Sequence, residues 1–532
     1  MDDWNEGYVT DTDYTYGYYA ELNPARARLP LLHAGIAVPE VATACELGFG
    51  QGLSVNIHAA ASDTFWFGTD FNPAQAAFAR SLARTSDNGA LLFDQSFAEF
   101  CAREDLPDFD FVGLHGIWSW ISDDNKAAIV DFLRRKLRVG GILYISYNTM
   151  PGWAAMLPMR ELLLRYADGM GMGGVLERVD MTLGFAGRLL ATKPAFAAAN
   201  PQIATRLESM RGQNRHYLAH EYFNRNWEPM TFARMAEWLS PAKLDFACSA
   251  HFPDLVDVLN LSDEQRALLA EIHDPILRET VRDFMCNTQF RKEYWIKGRR
   301  ALPAHEVREA LARERLMLAC PRESVTLTAR GARGEARLAE EVYAPLLDIL
   351  ADHAPHSLDE LARGTGGMDL AKVVEAALIL CGKGACLPVA RGDGAGEEAA
   401  RASCARLNAA LEDRARSGGD IAWLAGPATG GGVPVGRIEQ LFLLGLESGG
   451  ESPEALAAFA WEQLAAQGQK LLRDGAALET PEDNVAELTR QATDFVRTRL
   501  PLLRALGVTA GRGGARHRCK RQQDAFWSMS RL

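Results

Sequence analysis

The sequence predicts an α/β fold built on a Rossmann-like parallel sheet, and three observations predict it. Residues Ala44-Cys45-Glu46-Leu47-Gly48-Phe49-Gly50-Gln51-Gly52 close an apolar run on an acid and three alternating glycines. Residues Phe65-Trp66-Phe67-Gly68-Thr69-Asp70 read as a second buried strand that ends in a carboxylate. Apolar runs then alternate with helical stretches as far as Tyr147. A strand, a glycine turn, a helix and a second strand ending in an acid form half of a nucleotide-binding sheet. Glycine lacks a Cβ, so the backbone there can turn tightly and approach a ligand closely. Asp70 would accept hydrogen bonds from both hydroxyls of a ribose.

The elements follow in order. Val41 to Leu47 is the first strand and Leu53 to Ala61 a helix. Phe65 to Thr69 is the second strand, and Asn72-Pro73 opens a helix to Arg84. Ala90 to Phe93 and Phe109 to Leu114 are strands three and four. Asp123-Asp124 starts a helix to Leu137, and Gly140-Gly141 reads as a turn into strand five, Ile142 to Tyr147. Strands joined by crossover helices predict a sheet covered on both faces. Two further strands are expected much later, at Leu244 to Ser249 after a helix at Thr231 to Leu239, and at Lys292 to Lys297. The stretch between reads as helices, including Leu157 to Tyr166 and Ala195 to Met210. Residues 154–226 are therefore expected to be a helical insertion, a cap over the carboxyl ends of the strands, where such sheets bind ligands.

The predicted organisation is a catalytic domain of 1–153 and 227–300 interrupted by that cap, a winged-helix-like module at 301–390, a helical C-terminal domain at 399–509, and a basic tail at 510–532 expected to be disordered. The winged-helix-like module is not strongly basic, so protein docking is the expected use and DNA binding the alternative. Its order is helix, short helix, longer helix and a small β element near Ala385 to Val389. A length of 532 residues suits roughly three domains. The net charge of −12 argues against a large nucleic-acid surface. No apolar run is long enough to span a bilayer. The acidic N-terminus does not resemble a signal or transit peptide, and nine scattered cysteines without a Cys-x-x-Cys pair predict reduced thiols in the cytoplasm.

Three motifs carry candidate chemistry. His115-Gly116-Ile117-Trp118-Ser119-Trp120 leaves strand four, so His115 is a base, a donor to an acceptor, or a positional residue. Trp118 and Trp120 either stack on a ligand or pack beneath the cap. Tyr147-Asn148-Thr149-Met150-Pro151-Gly152-Trp153 leaves strand five and places Tyr147 and Asn148 at the rim of the expected cleft, where they could hold a neutral amine in line. Alternatively Pro151-Gly152 is a turn with Trp153 plugging the cap. His216 and His220 would share a helix face. No third ligand is evident, so no metal site is assigned; His220 either lines the acceptor pocket or makes structural hydrogen bonds.

The glycine spacing departs from G-x-G-x-x-G, which would need glycine where Leu53 stands. The pattern E-x-G-x-G-x-G instead resembles the first motif of class I S-adenosylmethionine-dependent methyltransferases. The segments 115–120, Gly140-Gly141, 147–153, Tyr217 to Phe223 with Trp227, Phe290 to Lys292 with Lys297 to Arg299, and Gly430 to Phe442 together resemble the bacterial methyltransferases that carry a methyltransferase regulatory domain. The resemblance runs from about residue 14 to 508. It implies a Rossmann-like class I methyltransferase sheet, S-adenosyl-L-methionine as cofactor, and protein lysine methylation as one activity, since the family includes enzymes acting on outer-membrane proteins. By position it implies that Glu46, Gly48, Gly50 and Gly52 form the cofactor loop, Asp70 binds ribose with Phe71 and Asn72 beside it, and Ser96 and Phe97 lie near the adenine. His115 belongs to both cofactor and acceptor sides, with Tyr147, Asn148 and His220 as the other catalytic candidates. Tyr14, Tyr16 and Tyr18 fall in a segment that folds over the cofactor in such proteins. A protein substrate is the leading expectation, with a glycan or small metabolite, or a non-catalytic cofactor-sensing scaffold, as alternatives. A homodimer is left open.

Overall fold

In the computed structural model of the chain, residues 15–169, 174–222, 224, 226–390, 395–473 and 475–509 are described, with backbone only at 216, 217, 220 and 395. Tyr14, Phe223, the first half (391–394) of the glycine- and acid-rich linker 391–398, and the basic tail lie outside them. Seven strands form the central sheet: β1 (Thr43–Leu47), β2 (Phe65–Thr69), β3 (Leu91–Phe93), β4 (Phe109–Leu114), β5 (Leu137–Asn148), β6 (Leu244–Ser249) and β7 (Phe290–Lys297). Their order is β3-β2-β1-β4-β5-β7-β6, and β7 alone runs antiparallel to its neighbours. The long apolar runs of β1, β2 and β4 are explained by burial on both faces, as parallel strands require. Order reverses across β1 and β4, which puts a crevice outside the carboxyl ends of these strands.

Two local expectations change. Gly140 and Gly141 lie inside β5, which already begins at Leu137, rather than in a turn before it. The register between β4 and β5 shifts between Phe109 and Phe111, and Gly140 absorbs the kink at φ +85°. The single helix expected over Ala195 to Met210 is broken, because Pro201 has no N–H to donate and disfavours helix at Asn200, whose φ is −133°.

Helices α1 (Pro24–His33), α2 (Leu53–Ala61), α3 (Pro73–Ser86), α4 (Phe97–Cys101) and α5 (Asp123–Lys136) flank the sheet. Between β5 and β6, ahead of a further helix at Phe232–Leu239, lie α6 (Met156–Gly169), α7 (Val175–Ala191), α8 (Ala195–Ala199), α9 (Gln202–Arg211) and α10 (Arg215–Tyr222). They share a small apolar core of their own, with Trp153, Met159, Leu183, Leu207 and Leu218 among its members. The backbone entering this group is tied to the segment that leads into β7, since the Gly152 N–H donates to Thr288 O and the Thr149 N–H to Gln289 O. A Cβ on Gly152 would lie 2.5 Å from Thr288 O, so that close approach needs glycine.

The remainder wraps the back of the sheet. A three-stranded sheet from Arg315–Leu318, His356–Ser357 and Cys386–Pro388 packs with helices Glu340–Leu350, Leu358–Gly364 and Leu370–Gly382. Helix Ala395–Arg414 lies against α2 and α3. Leu53, Ile57 and Ala60 of α2 share one core with Leu407, Leu424 and Val433. The glycine-rich stretch near 430 allows close packing: the Gly432 N–H donates to Tyr18 Oη at 2.7 Å, and a Cβ there would meet the Tyr18 ring at 2.8 Å.

Strand β7 carries a buried charge network. Arg291 donates to Asp283 at 2.6 Å, to Glu279 at 2.8 Å and to Glu293, beneath the Phe232 ring 4.5 Å away. Glu293 also accepts from Tyr147 Oη at 3.2 Å and from Trp295 Nε1 at 2.8 Å. Losing one member of a buried ion cluster leaves the others uncompensated. Arg291→Met is therefore expected to cost about 3–5 kcal/mol, seen as an earlier urea transition followed by tryptophan fluorescence, and more than Arg291→Lys costs.

Candidate active site

The turn after β1 is stitched to the end of β2. The Gly48 N–H donates to Thr69 O at 2.8 Å, and the Gly50 N–H donates to Asp70 Oδ2 at 2.8 Å. The Asn72 N–H donates to Asp70 Oδ1 at 3.0 Å. Gly48, Gly50 and Gly52 take φ of +74°, +58° and +71°, a region costly for residues with a Cβ. Asp70 therefore supports the turn as well as facing the cleft. Two donors lower its pKa, but burial outweighs them and raises it to about 6. Glu46 lies deeper, only 3% exposed, and its Oε2 has no hydrogen-bond partner among the described residues. Burial, with the nearby Asp70 charge, pushes its pKa well up.

These groups line a cleft of about 1160 Å³, counting space open to solvent. Of the residues the sequence singled out for the cofactor, Glu46, Gly48, Gly50, Asp70, Phe71 and Asn72 line it. Ser96, Phe97 and His115 do so as well. Asn72 and Ser96 also have local duties. Asn72 Oδ1 accepts from the Ala74 N–H and caps α3, and Ser96 forms a capping box with Glu99 at the start of α4. Gly52 is the exception. It begins α2, and a Cβ there would meet Ala79 Cβ at 2.4 Å, so it serves the packing of α2 on α3.

His115 closes the other end. Its ring stacks on Tyr19 with centroids 3.6 Å apart, and Nδ1 lies 2.7 Å from Tyr144 Oη. Burial lowers its pKa to about 3, so it stays neutral at physiological pH and is a poor proton acceptor there. Trp120 lines the cleft, whereas Trp118 is fully buried, donates to Met230 Sδ and packs edge-on to Trp238. Trp153 is buried among Tyr222, Trp227 and Arg206.

The rim expected at strand five is only half right. Because β5 continues through Asn148, Tyr147 and Asn148 point to opposite faces. Tyr147 is fully buried on the face away from the cleft and donates to Glu293, so the catalytic placement expected for it does not hold. Asn148 pairs in register with Phe290 of β7. Its side chain is buried, with Nδ2 turned toward the Glu221 carboxyl without a full hydrogen bond. Burial raises the Glu221 pKa to about 7, although Arg206, Asn148 and Arg160 pull it down. His220 lies on α10, and its side chain is outside the described residues.

The N-terminal tyrosines divide their tasks. Tyr16 packs on Phe78, Tyr18 is buried against the glycine-rich stretch near 430, and Tyr19, which the alternating tyrosine pattern skipped, faces the cleft. Gln51, Gln95, Asn125 and Asn226 also line it. Sequence offers no signal for Asn226, which arrives from beyond the inserted helices. Gln95 is legible only through its place one residue before the Ser96 cap.

Comparison with known proteins follows the same lines. A family model described as a predicted methyltransferase regulatory domain matches residues 214–297. The uncharacterized protein sll1526 of Synechocystis is 39% identical over 513 residues, covering 95% of this chain and all of that protein. The uncharacterized protein RP789 of Rickettsia prowazekii is 25% identical over 51% of this chain and 49% of its own length. Among solved structures, PKMT2 from Rickettsia typhi in complex with AdoHcy superposes with a TM-score of 0.68 at 15% identity, over 93% of this chain and 99% of that one, a likeness of fold.

The tightest test of the turn is Gly52→Ala, where both φ and the Ala79 backbone oppose a side chain. It is expected to destabilise the protein by about 1–3 kcal/mol, read as a lowered Tm. Gly436→Ala, which has open space around it, should leave Tm nearly unchanged.

Proposed function

This chain belongs to the bacterial class I S-adenosylmethionine-dependent methyltransferases that carry a methyltransferase regulatory domain, and we propose that it methylates lysine side chains of proteins. The observation that carries the cofactor assignment is the pair of buried carboxylates, Glu46 and Asp70, standing over a glycine turn in one cleft. The residues present fit S-adenosylmethionine. Glu46, buried with an unpartnered oxygen, would face its cationic amino-acid end, and ionised Asp70 would accept the ribose hydroxyls. Phe71, Ser96 and Phe97 would flank the adenine. When bound, the cofactor supplies a methyl group already activated on a sulfonium.

The chain's own residues then have to align and desolvate an amine. His115 is neutral and held rigid between Tyr19 and Tyr144, so its role is to position rather than to take a proton. Asn148 and Glu221 are proposed to hold the incoming amine, with His220 near them on the same helix as Glu221. The helices α6 to α10 serve in this reading as the cap of the acceptor site. A lysine acceptor is supported by the family resemblance and by the likeness of fold to PKMT2. Among the described residues no helix is long and apolar enough to cross a membrane, and we place the enzyme in the cytoplasm.

Calorimetry with S-adenosylmethionine and S-adenosylhomocysteine, followed by mass spectrometry of methylated lysines in acceptor proteins, tests this reading. Absence of cofactor binding, or label confined to small molecules, overturns it. Asp70→Ala should weaken cofactor binding by at least about 30-fold, in keeping with loss of charge-assisted hydrogen bonds. The pH dependence has a definite sign. Free Asp70 titrates near pH 6, and the cofactor needs it ionised, so affinity is full above that pH. The Asp70 contribution should fall about tenfold for each pH unit below it, and Asp70→Asn should abolish that part of the slope.

A further inference from the structure

We propose that a second, larger cleft beside the cofactor site is the groove that receives the acceptor protein, and that it selects lysines in acidic surroundings. The inference rests on the lysine methyltransferase reading above and adds where the acceptor lies and what chemistry recognises it.

This cleft encloses about 2200 Å³, counting space open to solvent, about twice the cofactor cleft by the same measure. It lies at the C-terminal end of β6 and the start of β7, beneath helix Pro275–Cys286, with the hairpin strand Thr328–Gly331 on its border. Because β7 is antiparallel, its first residue stands at the same end of the sheet as the cofactor turn. That residue is Phe290. It lines the large cleft, is in register with Asn148, and stands edge-on to His115 with centroids 6.2 Å apart. His115 lines the cofactor cleft. The Phe290–His115 pair is thus the wall between the two spaces, and Asn148 lies beside it. A segment lying in the large cleft would need only a side chain passing this wall to reach the methyl donor.

The charge of the cleft identifies the occupant. The chain carries a net charge of −12, yet six cationic side chains and four carboxylates line this cleft. Each of the four carboxylates already has a basic partner. Glu279 and Asp283 share Arg291 with Glu293, Asp257 pairs with Arg282, and Asp254 is bonded to His251, while two of the cations, Arg266 and Lys292, are taken by Asp263 and Glu21. Arg278, on the helix, and Arg330, on the hairpin, have no ion pair among the described residues. The exposed side chains left without an ion partner are therefore two arginines, and they come from two separate elements. A segment bearing Asp or Glu on both sides of its lysine would answer it, and a basic segment would be repelled. The span of the cleft suits an extended peptide rather than a single small metabolite.

The test uses the full chain with S-adenosylhomocysteine and fluorescein-labelled peptides carrying one lysine flanked by Asp/Glu, by Ser/Gly, or by Arg. Anisotropy should show the acidic peptide binding at least about tenfold more tightly than the basic one, an advantage that shrinks as salt rises. The double variant Arg278→Glu, Arg330→Glu should erase or invert that order while leaving the Kd for S-adenosylmethionine within about twofold, which also shows that it folds. The ratio of kcat/KM between acidic and basic peptides should follow binding. Equal affinity for the three peptides, or an order untouched by the double variant, overturns the groove assignment. If peptides bind as described and no lysine is methylated, the lysine reading fails and the recognition surface stands. A preference for the basic peptide overturns the charge argument.

Discussion

The Arg291 guanidinium holds together the end of the sheet where the acceptor side is proposed. It sits almost fully buried on β7, bonded to Asp283 and Glu279 of one helix and to Glu293 of its own strand, under the rings of Phe232 and Phe246. Glu293 passes the connection to Tyr147 on β5 and to Trp295. A charge so deeply placed is tolerable only with partners on every side. The network therefore fixes β5, β7 and helix Pro275–Cys286 in one arrangement. Its consequence lies on the opposite faces of the same strands, where Asn148 and Phe290 are presented in register beside His115.

The donor side obeys a different constraint. Its carboxylates are buried without cations, so burial raises both Glu46 and Asp70 above the ordinary range. Such a site is electrostatically unfinished, and a ligand with a cationic end and hydrogen-bond donors completes it. Asp70 does double service, since the Gly50 and Asn72 N–H groups that hold the turn also hold the carboxylate. His115 is the counterpart: half-buried and neutral, stacked on Tyr19, it marks the donor cleft's end without adding charge. Polarity is thus graded along the cleft, from acid at the turn to uncharged rings at the His115 end.

The C-terminal half is built into the catalytic domain's back rather than hung from it. Helix α2, which starts at the glycine turn, has its far face in a common core with Leu407, Leu424 and Val433. Helix Ala395–Arg414 donates from Ser403 and Arg406 to Ser86 O at the end of α3. Tyr18 joins the same core and holds the segment whose next residue, Tyr19, lines the cleft. Anything that moved this half would pull on both the glycine turn and the residues that border it.

Local chemistry made part of this legible in the sequence. Strands β1 to β4 and β6 announced themselves because buried strands are short apolar runs ended by glycine or acid, and the donor residues cluster within a few positions of those ends. Position near a motif did not reveal direction. Tyr147 and Asn148 are neighbours in sequence and face opposite sides, which became evident only once β5 was seen to run through both. Gly52 belonged to the glycine pattern and serves helix packing instead. Glu221 and Asn226 come from the end of the insertion and Phe290 from far beyond it, so their meeting with Asn148 and the cofactor cleft depends on contacts between distant segments, which no local pattern encodes. By itself the sequence determined the sheet and the donor site, because both are set by short-range patterns of burial and turn. The tertiary structure alone decided the proposed acceptor side, because that side is assembled where an antiparallel strand, an inserted helical group and a distant hairpin converge.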